Sequence, residues 1–159
     1  MTETNFDKVG KFHEVFDHPK NDCPQKNLFT EHPDLVKLRI ALIREELNEL
    51  EAACENHDIV EVADALSDIL YVTYGAGHAF GINLDDTFNE VQRSNMTKSC
   101  ENEDDAKESV RIYREDGRYG DPVYKKSKCG NYYIVYDQST GKILKNYKYS
   151  VADLKRFVA

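Results

Sequence analysis

Glu45, Glu46 and Glu49 are followed, after eleven intervening residues, by Glu61, Asp64 and Asp68. Within each group the steps are mostly three or four, so on helices these carboxylates share a face, with i and i+3 side chains roughly 5–6 Å apart at Cβ. Residues 59–80 hold no Lys or Arg, and their three acids sit among apolar neighbours. Carboxylates in apolar surroundings are costly unless something pairs with them. A cation between two facing helices is therefore expected. Four oxygen donors, Glu46, Glu49, Glu61 and Asp64, suit Mg²⁺ or Mn²⁺ better than Zn²⁺, which favours His and Cys. Four carboxylates exceed the charge of one divalent ion, and two such ions can clamp the attacking and leaving oxygens of a phosphoryl displacement. A solvated acidic face explains a single Glu-x-x-Glu more simply, but not two facing pairs on apolar stripes. A di-iron carboxylate bundle requires Glu-x-x-His pairs, and the chain has none.

Helices must position these acids. Phe6, Val9, Phe12, His13 and Phe16 recur at helical spacing and predict a first helix over 5–17. Residues 18–33 contain Pro19, Pro24 and Pro33 and read as a long loop of the kind that covers a site. The second helix is expected over 34–55. One of its stripes is Leu35, Leu38, Leu42, Glu46, Glu49 and Ala53, and another is Ile40, Ile43, Leu47, Leu50 and Cys54. Glu46 and Glu49 continue an apolar stripe and so point inward, while Glu45 lies about 100° round from Glu46. The third helix, over 58–80, has Leu66, Ile69, Thr73 and Phe80 on a broad apolar side. Glu61, Asp64, Asp68, Tyr71, Gly75 and His78 fall on a narrower face. Gly81 ends it, and Asn83 with Asp86 caps a fourth helix reaching about Lys98.

An acidic segment leads to a fifth helix over 106–115. Composition then shifts, with seven of the ten tyrosines lying beyond residue 117. Strands are expected over 123–128, 132–137 and 142–145, with a last helical turn capped by 150–153. The expected fold class is mainly α: a helical domain over 1–117 and a small β-meander over 118–159.

At 159 residues and a formal net charge of −8, the chain has the size of one ordinary domain and the wrong sign to coat nucleic acid. Cys23, Cys54, Cys100 and Cys129 form no Cys-x-x-Cys pair. Reduced thiols, the lack of an apolar leader and the acids within 59–80 lead to the expectation of a cytoplasmic protein without a membrane span.

Glu45-Glu46-x-x-Glu49 followed by Glu61-x-x-Asp64 resembles the EExxE…ExxD signature of the MazG-like, all-α nucleoside triphosphate pyrophosphohydrolases. The superfamily includes dimeric dUTPases and phosphoribosyl-ATP pyrophosphohydrolases. The likeness covers roughly 5–115 and is closest at VADALSDILYVTYGAGHAFGI and EVQRSNMTK. It implies a MazG-like bundle and Mg²⁺-dependent cleavage between the α and β phosphates of a nucleotide, with Mn²⁺ as a substitute metal and dUTP among the candidate substrates. By the same resemblance Glu46, Glu49, Glu61 and Asp64 are metal ligands. Glu45 assists a further metal or orients the attacking water, and Asp68 supports the site. Asn95 and Lys98 match phosphate-contacting positions. Tyr71, Phe16 and His13 are candidates for the base pocket, with aromatic core an equal reading of Phe16 and the plainer one of Phe12. His78 reads as a satisfied buried histidine, and His18, His32 and His57 as surface residues. The resemblance also implies a homodimer or higher homo-oligomer. The Tyr- and Lys-rich tail reads as an appendage rather than a nucleic-acid surface. Two rivals are the same core acting on phosphoribosyl-ATP in histidine biosynthesis, and a catalytically silent helical scaffold.

Overall fold

Short polar residues at the helix ends satisfy backbone groups that the helices leave open, and they set the boundaries. The computed structural model describes residues 2–159. Thr4 and Asp7 form a reciprocal capping box at the start of α1 (Asn5–Val15). A short α2 (Leu28–Glu31) interrupts the expected long loop, and Pro33 occupies the first turn of α3 (Pro33–Glu55). The Asp58 carboxylate accepts from the amides of Val60 and Glu61 and starts α4 (Ile59–Phe80). Asn83 accepts from the amides of Asp85 and Asp86 to begin α5 (Leu84–Met96). Asn102 caps α6 through the amide of Asp105, so that helix spans Glu103–Asp116 and starts three residues before its expected beginning.

The chain is mainly helical with a small antiparallel pair of strands near its C-terminal end, β1 (Pro122–Lys126) and β2 (Tyr133–Asp137), in the register Pro122–Asp137 to Lys126–Tyr133. The third expected strand is corrected to a single bridge between Tyr136 and Ile143. Its ladder cannot continue because the next amides are taken elsewhere. Lys145 donates to the Tyr113 hydroxyl, Asn146 to the Lys98 carbonyl and Tyr147 to Ser109 Oγ. The expected cap over 150–153 is also corrected. The Asp153 amide donates to Glu90, and a single 3-10 turn begins only at Lys155, without a side-chain cap.

Two compact units emerge, residues 2–87 with 154–159, and Phe88–Asp153. In the first, α3 and α4 pack along their length and α1 packs on α4. Phe6 stacks on His78 at 3.8 Å and meets Tyr74 edge-on at 6.1 Å. In the second, Cys100, Ala106, Val110, Val135 and Leu144 form one buried cluster, against which Tyr113, Tyr119, Tyr124 and Tyr133 pack. The segment beyond residue 117 thus shares its core with α6. Its lysines largely face its own rings: Lys125 over Tyr136, Lys142 over Tyr119, Lys145 over Tyr149 and Lys148 over Tyr147. Among the described residues, no helix is long and apolar enough to cross a membrane.

The loop before α2 is stitched to the C-terminal turn of α4. Asn21 donates from its amide to the His78 carbonyl and from its side chain to that of Ala79, while the Gln25 amide donates to Phe80. Gly81 makes this crossing possible. Its φ is +68°, and a Cβ there would lie 1.9 Å from the Cys23 carbonyl oxygen. Gly81→Ala is expected to destabilise the fold by about 2–4 kcal/mol, from left-handed strain plus displacement of the loop. Urea denaturation against wild type measures it.

Candidate functional site

α3 and α4 are joined by a tight turn in which His57 takes a φ of 56°, and the two helices run back antiparallel. Helical phase then decides which acids meet. Glu46 is half-buried, and its Oε2 is buried without a hydrogen-bond partner. Burial pushes the Glu46 carboxyl above the ordinary glutamate range, and the charges of Glu49, Asp68, Glu45 and Asp64 push it further. Four of the other five acids singled out from the sequence therefore act on Glu46. Glu61 is exposed on the first turn of α4 and is not among the largest influences on Glu46. Asp68 is half-buried, whereas Glu45, Glu49 and Asp64 are exposed.

As they stand, these side chains do not close into a cage. Among the described residues, no three His, Cys, Asp or Glu groups are arranged to hold a metal ion. The donor set nevertheless fits a hard divalent cation. It is all oxygen, it carries negative charge in excess, and one of its oxygens is orphaned in the protein interior.

The aromatic candidates gather on the α1 side of α4. Phe12 lies 4.3 Å from Phe16 and 5.5 Å, edge-on, from Tyr71, measured between ring centroids. Reading Phe12 and Phe16 as core is corrected, because both are exposed, Phe16 by 59%. A rim position on α1 leaves their outer faces uncovered. His13 is buried, and its Nδ1 lies 2.7 Å from the Pro19 carbonyl. A carbonyl can only accept, so Nδ1 carries the proton and Nε2 presents a lone pair. Burial, aided by nearby Arg39, His78 and His18, lowers the pKa of this imidazole and favours its neutral form. His78 is buried and bonded to the Phe6 carbonyl at 2.8 Å, while His18, His32 and His57 are exposed.

Asn95 and Lys98 lie in the second unit. The structure brings them together, with Lys98 Nζ donating to Asn95 Oδ1 at 2.8 Å.

One group escaped the sequence analysis. Arg39 is only 5% exposed, and its Nε and Nη2 are buried without partners. A lone arginine among the leucines of α3 reads as a surface residue. The available signal was its position seven residues before Glu46, two turns along the same face.

Glu46→Gln is expected to raise the melting temperature at pH 7. In the wild type the Glu46 proton is held more tightly in the folded than in the unfolded chain. Stability is therefore lost as pH rises from the ordinary glutamate range through the raised folded pKa. The advantage of the variant should be largest at neutral pH and vanish below the ordinary range. Adding Mg²⁺ should stabilise the wild type and largely spare the variant. Thermal melts across pH, with and without Mg²⁺, measure both effects.

The phosphoribosyl-ATP pyrophosphohydrolase family matches residues 9–95, more than half of the chain. An uncharacterized protein of Acanthamoeba polyphaga mimivirus is 50% identical over 82 residues, covering 52% of this chain. The matched stretch spans 33% of that relative's length. The family match runs from α1 through α5 and so contains all six acids of the α3–α4 seam. With that seam at its centre, the chain belongs to the phosphoribosyl-ATP pyrophosphohydrolase family of nucleotide pyrophosphohydrolases.

Proposed function

We propose that the protein hydrolyses a (deoxy)nucleoside triphosphate to the monophosphate and pyrophosphate in a Mg²⁺-dependent reaction. The observation that carries this reading is the orphaned, buried Oε2 of Glu46 under the charges of four further acids. Such a site is unfavourable without a cation, and its donors are those of Mg²⁺, with Mn²⁺ as a substitute. Glu46, Glu49, Glu61 and Asp64 would hold the metal. Bound there, the metal offsets phosphate charge and lowers the pKa of attacking water.

Several groups then have distinct tasks. Glu45, exposed beside Glu46, orients the attacking water, and Asp68 supports the seam from α4. Asn95 and Lys98 bind phosphate oxygens. For that role Lys98 exchanges its bond to the Asn95 amide oxygen for a charge-assisted bond to phosphate. Tyr71, Phe16 and His13 bound the base pocket.

A second copy of the chain completes the fold in this reading. Ile40 and Leu47 recur seven residues apart on α3, as do Ile59 and Leu66 on α4, with Leu70 one turn further on. All five are exposed by 46% or more. Apolar stripes on two long neighbouring helices favour burial against the same stripes of a homodimer partner. Light scattering is expected to give at least a dimer. Leu66→Glu with Leu70→Glu should shift the chain toward monomer, and a wild-type monomer would remove the homodimer from the reading.

Pyrophosphate release should be measured over deoxynucleoside triphosphates, nucleoside triphosphates and phosphoribosyl-ATP with Mg²⁺. Release from one or more triphosphates is expected, and Asp64→Asn should reduce it by about 100-fold or more, since even groups supporting a metal ligand cost 10–100-fold. Release confined to phosphoribosyl-ATP would place the chain in histidine biosynthesis. Release from no substrate would leave a helical scaffold.

A further inference from the structure

Arg39 and Gly75 face each other across the same α3–α4 seam as the acids. Seven residues separate Arg39 from Glu46 on α3, and seven separate Asp68 from Gly75 on α4. The antiparallel register therefore sets the guanidinium about 10 Å along the seam from the carboxylates. Gly75 lies in mid-helix, where glycine costs about 1 kcal/mol relative to alanine. Its lack of a side chain lets His13 and Arg39 close on the helix: a Cβ there would lie 2.9 Å from His13 Nε2 and 3.2 Å from Arg39 Nη1. Between Arg39 and the acids stand Tyr71 and Phe12, in ring contact at 5.5 Å. Carboxylates, aromatic rings and an unpartnered donor fork thus follow one another along one seam. This order and length match those of a nucleotide, from phosphate through sugar and base to the far edge of the base.

We propose that Arg39 reads the hydrogen-bonding edge of the substrate's base and selects guanine or cytosine over uracil and adenine. The proposal rests on the nucleotide pyrophosphohydrolase reading and adds base selection to it. A guanidinium only donates, and Nε and Nη2 present parallel N–H groups on one side of the plane, a fork that requires two adjacent acceptors. Both are unpartnered. The complementary edge presents two adjacent acceptors. Guanine offers them as N7 and O6, and cytosine as O2 and N3. Uracil and adenine alternate acceptor and donor and leave one arm of the fork unsatisfied in a buried site, which is costly. Entry lies past the exposed ring of Phe16 and exposed His18, which lies 5.4 Å from His13 between ring centroids.

Calorimetric titration of the full chain with dGMP, dCMP, dUMP and dAMP in the presence of Mg²⁺ tests this without turnover. Binding of dGMP or dCMP is expected to be about 10–100-fold tighter than that of dUMP and dAMP, the worth of one bidentate contact. Whichever of the two binds, its deaza analogue (7-deaza-dGMP or 3-deaza-dCMP) removes one acceptor and should lose most of that preference on unaltered protein. Arg39→Lys should abolish the preference, bringing the four affinities to within a few-fold of one another, with circular dichroism to check folding. Equal affinity for all four, preference for dUMP or dAMP, binding of none, or deaza analogues that bind like their parents would each overturn the proposal. Pyrophosphate release without base preference would overturn base selection and leave the hydrolase. Selective binding without release would do the reverse.

Discussion

The antiparallel packing of α3 on α4 places two unlike electrostatic problems on one seam. Midway along α3, like charges crowd around Glu46, and burial makes their repulsion stronger than it would be in water. Two turns away, a guanidinium is buried with donors unmet. Neither arrangement stabilises the fold. Both follow from a register fixed by packing elsewhere, through small or half-buried residues such as Ala53 and Ala65. Uncompensated charge of both signs on one seam is the physical basis of the proposed nucleotide site.

The elements around the seam define its edge. α1 brings Phe12, His13 and Phe16 to its edge, and the loop before α2 is tied to the end of α4 by backbone bonds that Gly81 permits. The Pro19 carbonyl lies on that loop and fixes the His13 tautomer, so loop placement and the polarity of the seam are coupled. In the second unit, tyrosines and lysines of the tail close over α6 and are largely satisfied by one another. The tail therefore reads as part of that unit's core rather than as a cationic surface.

Most of the helical layout was legible because it is written locally. Thr4, Asp58, Asn83 and Asn102 are short side chains that can cap, and the alternation of apolar residues beyond them has a helical period. The strand pair was equally legible from its Tyr- and Val-rich runs. The third strand was not. Whether residues 142–145 extend a ladder depends on where the amides of Lys145, Asn146 and Tyr147 find acceptors, and these lie on or just before α6. The rim position of Phe12 and Phe16 was hidden for the same reason, since helical periodicity tells which residues share a face but not what covers it.

The sequence by itself determined the acid chemistry. Residue types and spacing of three and four put the carboxylates on common helix faces, and no Lys or Arg on α4 could neutralise them. Only the tertiary structure decided which of those faces meet. It made Glu46 the focus, left Glu61 exposed on the first turn of α4, and buried Arg39 opposite Gly75. Helical phase is a property of a single segment, readable in one dimension. Register between two helices comes from the packing of both surfaces at once, and a lone arginine gains meaning only when the helix facing it is known.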